Sequence, residues 1–131
     1  PEIRVRNINS GEFYILTIKR DTKLIGLARE EYEFLINEEE YNSLLTKKEG
    51  NTIYKTRYEL VNEDGHIMAI DIFNGDLEGL AYLEIEFENE EIAKSYRTPN
   101  WVIQDVTTDL NYKNGYLSRY GIPSSFYEYM K

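Results

Sequence analysis

Regular alternation of polar and apolar residues over six stretches is the feature that most limits how this chain can fold. The stretches are PEIRVRNI, EFYILTIKR, LAREEYEFLI, NTIYKTRYEL, HIMAIDIF and LAYLEIEF. A period of two is typical of β-strands, because successive side chains point to opposite faces of a sheet. Turn pairs such as Ser10-Gly11 and Asp64-Gly65 separate some of the stretches. The pattern therefore predicts a strand meander with one charged face and one apolar face.

Three further segments carry helical signals. The first follows Asn37, a typical N-cap residue, and the second follows Asn89. The third runs through LNYKNGYLSRYG and ends at Gly121. It has a tyrosine every four positions, which predicts one packed helix face, and these residues are Tyr112, Tyr116 and Tyr120. A strand meander combined with helices predicts an α+β plan in one domain.

Composition and charge argue against several classes of function. The chain has 15 lysines and arginines against 24 aspartates and glutamates, a formal net charge of −9, whereas a nucleic-acid-binding surface is positive. It has no cysteine, which excludes thiolate nucleophiles and fits a reducing, cytoplasmic location. His66 is the single histidine, so a Ser-His-Asp triad could use no other. No apolar run is long enough to cross a bilayer, and we expect neither a membrane nor a nucleic-acid partner.

Charged residues recur at alternating positions of the predicted strands. The basic set is Arg4, Arg6, Lys19, Arg29, Lys55 and Arg57, and the acidic set is Glu31, Glu33, Asp71, Glu84 and Glu86. Residues two apart on a strand share a face, so Glu84 and Glu86 are predicted to point the same way. If the strands pair as antiparallel neighbours, both sets gather on one face. Curling the sheet then turns that face into the lumen of a barrel.

Two explanations compete for this charged face. A sheet with one wet face is the simpler explanation for any single strand. The whole set favours a binding site, because lysine, arginine and glutamate are rarely buried without a partner. A polyphosphate with a divalent metal ion would satisfy both signs, since arginines bind phosphate oxygens and carboxylates bind Mg²⁺ or Mn²⁺.

The order of these motifs resembles the CYTH superfamily, the triphosphate tunnel metalloenzymes. The motifs are R-x-R (Arg4, Arg6), T-x-K (Thr17, Lys19), R-x-E-x-E (Arg29, Glu31, Glu33), K-x-R (Lys55, Arg57), the Asp71 of IDIFNGDLEGL, and E-x-E-F (Glu84, Glu86, Phe87). The tail DVTTDLNYKNGYLSRYGIP is similar to the ending of the short bacterial members. The resemblance covers nearly the whole chain. It implies an α+β fold built on an antiparallel, closed eight-stranded β-barrel with flanking helices.

One family motif is missing from the sequence. The N-terminal E-x-E-x-K strand, which supplies two metal-binding glutamates and a lysine in the family, is absent. The chain starts at Pro1, directly at the first predicted strand. We therefore expect residues 1–131 to be a single barrel domain without its first strands.

The resemblance also implies roles for the charged residues. The basic set would bind the triphosphate. The acidic set would bind Mg²⁺ or Mn²⁺, chiefly through Glu84 and Glu86, with Asp71 close by and Glu31 and Glu33 in support. The general base follows from charge and not from the resemblance. The attacking water could lose its proton to a carboxylate or to a lysine, and a metal ion that acidifies the water would serve as well. A lysine surrounded by other cations gives up its proton more readily, which makes Lys55 our candidate.

The activity that the resemblance implies is metal-dependent hydrolysis of a triphosphate, with inorganic tripolyphosphate as the first candidate. A class IV-type adenylyl cyclase, a thiamine triphosphatase and a non-catalytic polyphosphate or nucleotide binder stay open, because the phosphates are the shared part of their ligands. The expected partner is a small molecule that contains a triphosphate. A homodimer is an assembly that these expectations allow.

Overall fold

The alternating stretches form six β-strands in the computed structural model, which describes residues 2–21, 29–61 and 63–131. The strands are β1 (Glu2–Ile8), β2 (Phe13–Asp21), β3 (Arg29–Ile36), β4 (Tyr54–Val61), β5 (Ile67–Asn74) and β6 (Ala81–Ile85). The α-helices of the described residues are α1 (Glu38–Leu45), α2 (Glu90–Ser95), α3 (Asn114–Tyr120) and α4 (Ser124–Tyr129), and 3₁₀ turns lie at Gly75–Leu77 and Leu110–Tyr112. Each alternating stretch thus contains the strand that was predicted for it.

The chain divides into two compact units, Pro1–Asn51 and Thr52–Lys131. The first unit contains an antiparallel sheet in the order β1-β2-β3, and the second contains an antiparallel sheet in the order β4-β5-β6. Each sheet is therefore a simple meander in which the second strand is central. The prediction that residues 1–131 form a single domain stays a prediction.

The predicted closed, eight-stranded β-barrel is wrong for the described residues. A closed barrel requires every strand to hydrogen-bond to a neighbour on both sides. Here the strands are divided between two three-stranded sheets, and only β2 and β5 have two hydrogen-bonded neighbours among the described strands. Alternation reveals which residues form strands, but it does not reveal which edges pair, and so it could not test closure.

In the first unit, strand register places the alternating residues on common faces. Thr17 in β2 lies opposite Arg4 of β1 and Glu33 of β3. Since directly opposed residues in an antiparallel sheet point to the same face, these three residues share one. Helix α1 follows β3, and Asn37 forms a capping box with Glu40 at its start, which satisfies two backbone N–H groups.

In the second unit, one end of the sheet is covered by the C-terminal segment. A cluster of buried residues, Phe73, Leu77, Leu80 and Leu117, forms the core, and partly buried Ile53, Tyr82, Ile122 and Phe126 pack against it. The Tyr82 hydroxyl donates to the Tyr112 carbonyl oxygen at 2.7 Å, and the Tyr112 and Ser125 hydroxyls lie 2.8 Å apart. The C-terminal segment is thus fixed to β6 by hydrogen bonds as well as by apolar contact.

The predicted single helix face of three tyrosines is wrong. Tyr112 is 5% exposed in a 3₁₀ turn, whereas Tyr120 at the end of α3 is 70% exposed. Lys113 between the turn and the helix has an extended backbone, with φ −80° and ψ 156°. This break resets the helical periodicity, so Leu117 is the residue of α3 that enters the core.

None of the helices in the described residues is both long enough and apolar enough to span a membrane.

Candidate active site

The charged face of the first sheet carries most of the N-terminal charged residues that the sequence analysis singled out. Register aligns Glu2, Lys19 and Glu31 across the three strands, next to the row of Arg4, Thr17 and Glu33. Arg29 is the first residue of β3, and its side chain lies outside the described residues. The sheet therefore brings cations and carboxylates of different strands together on one face, as the alternation predicted.

Ion pairs connect the arginines of β1 to neighbouring carboxylates. The Nε of Arg4 lies 3.2 Å from Oε1 of Glu2. The Nη2 of Arg6 lies 3.3 Å from Oε1 of Glu33 and 3.4 Å from Oγ1 of Thr17. Both arginine side chains are partly buried, at 21% and 32% exposure. Partial burial leaves these guanidinium groups less hydrated than surface arginines, which strengthens any contact with an anion.

In the second sheet, Asp71 is the centre of a charged cluster. It lies in the central strand β5 and is 0% exposed. Its Oδ1 accepts from the Nε of Arg57 at 2.7 Å, and its Oδ2 accepts from Nη2 of Arg57 at 2.8 Å and from Nζ of Lys55 at 2.9 Å. The Nη2 of Arg57 also lies 3.2 Å from Oε2 of Glu84. We call Lys55, Arg57, Asp71 and Glu84 the β4-β6 charge cluster.

The cluster stabilises the charged forms of Asp71 and Arg57. Burial by itself would raise the pKa of Asp71, but the hydrogen bonds from Arg57 and Lys55 outweigh it and leave that pKa below its usual value. The hydrogen bond to Asp71 raises the pKa of Arg57 above its usual range. A bidentate contact of this kind also fixes the plane of the guanidinium group. The guanidinium group of Arg57 is therefore both charged and oriented.

The pKa of Asp71 predicts how the stability of the fold depends on pH. Because that pKa is lowered from its usual value of 3.8 in the folded protein, the stabilisation is fully present above about pH 4 and disappears as the pH falls through the folded pKa. We expect the difference in urea midpoint between the natural protein and Asp71→Asn to be constant from pH 5 to 7 and to shrink below pH 4. A difference that does not change with pH would contradict this.

The acidic residues fit a metal ion in part. Glu84 is 54% exposed, and Glu86 is exposed and continues the ladder, because its N–H donates to the Ile67 carbonyl at 3.2 Å. Among the described residues, no three histidine or acidic side chains come together as a metal-binding group. Mg²⁺ commonly uses only one or two carboxylates and completes its coordination with phosphates and waters. Glu84 and Glu86 fit that mode.

Asp71 differs from these glutamates, because it is not exposed and both of its oxygens accept hydrogen bonds. Oδ1 accepts from Arg57, and Oδ2 accepts from Arg57 and Lys55. Its predicted role as a metal ligand stays a prediction. Glu31 and Glu33 are exposed in β3, and their supporting role likewise stays a prediction. The role of Lys55 as general base also stays a prediction. Its Nζ is ion-paired with Asp71.

Sequence analysis missed two residues that the structure places beside the charged ones. Thr17 is 0% exposed in the middle of the first charged face, and its place in T-x-K, two residues from Lys19, was the available signal. Tyr82 lies directly opposite Asp71 in β6. Burial raises the pKa of Tyr82, so its phenol keeps the proton that it donates to Tyr112.

Curated proteins of known activity resemble this chain over most of its length. No protein-family model matches it. A protein named inorganic triphosphatase from Nitrosomonas europaea is 36% identical over 113 residues, which cover 86% of this chain and 72% of that protein. A second protein named inorganic triphosphatase, from Acetivibrio thermocellus, is 35% identical over 116 residues, which cover 88% of this chain and 70% of that protein.

Solved structures also resemble the chain. A crystal structure of an inorganic triphosphatase is 31% identical and superimposes with a TM-score of 0.62, covering 89% of this chain and 74% of the other. A second crystal structure, described as that of a hypothetical protein, is 33% identical with the same TM-score of 0.62 and the same coverage, 89% and 74%. Two curated proteins and one solved structure that resemble this chain thus carry the name inorganic triphosphatase.

Proposed function

This chain belongs to the inorganic triphosphatase family, and we propose that it hydrolyses inorganic tripolyphosphate with a divalent metal ion as a member of the CYTH superfamily. Family membership rests on identities of 36% and 35% over most of the chain. The chain is accordingly a phosphoanhydride hydrolase with a triphosphate-containing small molecule as substrate. A cytoplasmic location and a homodimer remain predictions of the sequence.

The β4-β6 charge cluster is the observation that supports this proposal. Hydrolysis of a phosphoanhydride builds negative charge on the phosphoryl oxygens, and catalysis requires positive groups that are already aimed at them. Asp71 orients Lys55 and Arg57 through hydrogen bonds of 2.7 to 2.9 Å. Because the two cations are fixed before the substrate arrives, little reorganisation is needed when charge develops.

The basic residues would bind the phosphates by the same chemistry on both sheets. Arginine presents a planar fork of N–H donors that matches two phosphate oxygens, whereas lysine acts as a point charge. Arg4, Arg6 and Lys19 supply both types in the first unit, and Lys55 and Arg57 supply both in the second. Each unit alone therefore provides a mixed set of cations for a highly charged anion.

The exposed carboxylates would hold the metal ion. Glu84 and Glu86 are hard oxygen ligands of the kind that Mg²⁺ and Mn²⁺ prefer. A bound divalent ion would neutralise phosphate charge and acidify a coordinated water. Arg57 would connect metal binding to phosphate binding. It contacts both Glu84 and Asp71 and so links the carboxylates to the phosphate-binding cations.

The experiment that tests this function is a measurement of phosphate release from tripolyphosphate with and without Mg²⁺ or Mn²⁺. ATP and thiamine triphosphate are assayed separately as alternative substrates. We expect release from tripolyphosphate that depends on the metal ion and exceeds release from the other two. Cyclisation of ATP would contradict the proposal in favour of a cyclase, and tight binding without release would contradict it in favour of a binder.

Glu84→Ala is expected to raise the Mg²⁺ concentration for half-maximal phosphate release by about 10- to 100-fold, by analogy with the loss of other groups at metal sites. The matched control is Glu78→Ala, which removes an exposed carboxylate from the turn before β6 and should leave the Mg²⁺ dependence unchanged. An equal shift in both variants would show that bulk charge, and not a ligand at Glu84, sets the metal dependence.

A further inference from the structure

A fully buried hydroxyl group lies in the middle of the charged face of the first sheet. Thr17 is 0% exposed, although its position in the central strand β2 places it between Arg4 and Glu33. A buried polar group must be hydrogen-bonded or its burial is costly. We therefore expect the Thr17 hydroxyl to have a hydrogen-bond partner.

That partner is an arginine of the neighbouring strand. The Nη2 of Arg6 lies 3.4 Å from Oγ1 of Thr17 and 3.3 Å from Oε1 of Glu33. Arg6 is opposite Ile15, two residues from Thr17, so the contact is a diagonal one across the strand pair. Threonine is branched at Cβ and has few rotamers, which makes its hydroxyl a fixed acceptor, whereas the exposed Glu33 side chain has more freedom.

The other end of the guanidinium group is not held in the same way. The Nε of Arg6 is buried and makes no hydrogen bond among the described residues. Its orientation therefore depends on the contacts at Nη2. Removing the fixed contact would leave Arg6 held by Glu33, which is 49% exposed.

We propose that Thr17 is a positioning residue that aims the guanidinium group of Arg6 at the triphosphate. The inference rests on the proposed function, because it assigns Arg6 to phosphate binding. Thr17 itself does not contact the substrate; its hydroxyl accepts a hydrogen bond from Nη2, so that the other terminal nitrogen, Nη1, can donate to phosphate oxygens. Thr17 thus does for Arg6 in the first sheet what Asp71 does for Arg57 in the second.

The test is a comparison of tripolyphosphate binding by calorimetry for the natural protein, Thr17→Val and Thr17→Ser. Valine has nearly the same shape as threonine but lacks the hydroxyl, while serine keeps it. Loss of one hydrogen bond to a charged group is expected to weaken binding by about tenfold. Thr17→Ser should recover most of that loss. Thr56→Val, an exposed threonine of β4, is the matched control and should bind normally.

A double-variant cycle distinguishes positioning from a structural role. If Thr17 acts through Arg6, then Thr17→Val should cause no further weakening of binding in an Arg6→Ala background. Full additivity, normal binding by Thr17→Val, or no recovery by Thr17→Ser would each overturn the inference while leaving the proposed function intact. A natural protein that binds no tripolyphosphate would instead overturn the proposed function, and this inference with it.

Discussion

Arg57→Ala is expected to lower kcat/KM for tripolyphosphate by about 10²- to 10³-fold, the usual effect of removing one preorganised donor to a developing oxyanion. The physical reason is the fixed orientation of this guanidinium group, which contacts both oxygens of Asp71 and one oxygen of Glu84. Steady-state phosphate release at saturating Mg²⁺ measures the effect. Arg57→Lys keeps the charge but not the fork, so it should recover only part of the activity.

The matched control for Arg57 is Arg20, an arginine on the opposite side of the first sheet from its charged face. Arg20 in β2 is 66% exposed and forms an ion pair with Glu30, which lies opposite it in β3. Arg20→Ala removes the same charge and should change kcat/KM by less than about twofold, since exposed ion pairs contribute little. Equal losses in Arg57→Ala and Arg20→Ala would contradict a specific role and indicate a general effect of charge.

Asp71→Ala is expected to lower the free energy of unfolding by about 3 kcal/mol, at the lower end of the range for breaking a buried ion pair. The lower end applies because Lys55 and Arg57 are 25% and 34% exposed and can recover some hydration when the carboxylate is removed. Equilibrium unfolding in urea, monitored by circular dichroism at pH 7, measures the change.

Two comparisons make the Asp71 result specific. Asp71→Asn keeps the shape and one acceptor oxygen, so it should destabilise the protein less than Asp71→Ala. Asp76→Ala removes an exposed carboxylate from the 3₁₀ turn that follows β5, and it should change the free energy of unfolding by less than about 0.5 kcal/mol. If Asp71→Ala changed the free energy of unfolding as little as Asp76→Ala, the cluster would not stabilise the fold.

The two sheets share one arrangement of polar groups. In each, a fully buried polar residue of the central strand, Thr17 or Asp71, contacts an arginine of the first strand. In each, a glutamate of the third strand contacts the same Nη2 atom of that arginine, as Glu33 does with Arg6 and Glu84 with Arg57. The difference lies in charge, because a carboxylate can hold two cations where a hydroxyl holds one.

The strands and their charged faces could be predicted from the sequence. Alternation with a period of two is a local property, and each strand's own side chains determine it. The same holds for the ends of helices, where Asn37 and Asn89 accept hydrogen bonds from N–H groups only three residues away. Family membership was also within reach, since the order of the charged motifs is read along the chain.

Closure of the sheet into a barrel could not be predicted in the same way. The barrel was wrong because hydrogen bonding between strand edges depends on residues far apart in sequence, and the described strands form two separate sheets. The predicted tyrosine face of the C-terminal segment was wrong for a related reason. The extended backbone at Lys113 interrupts a periodicity that is continuous in the sequence.

The sequence by itself thus determined which residues are strands, which of them carry charge and which family the motifs resemble, because these depend on neighbours within a few positions. Only the tertiary structure decided what each charged side chain contacts. Asp71 is buried and forms ion pairs with Lys55 and Arg57, contacts that its place in the chain did not show. Thr17 gained a partner in Arg6, 11 residues away, because strand register brings together side chains that the linear order keeps apart.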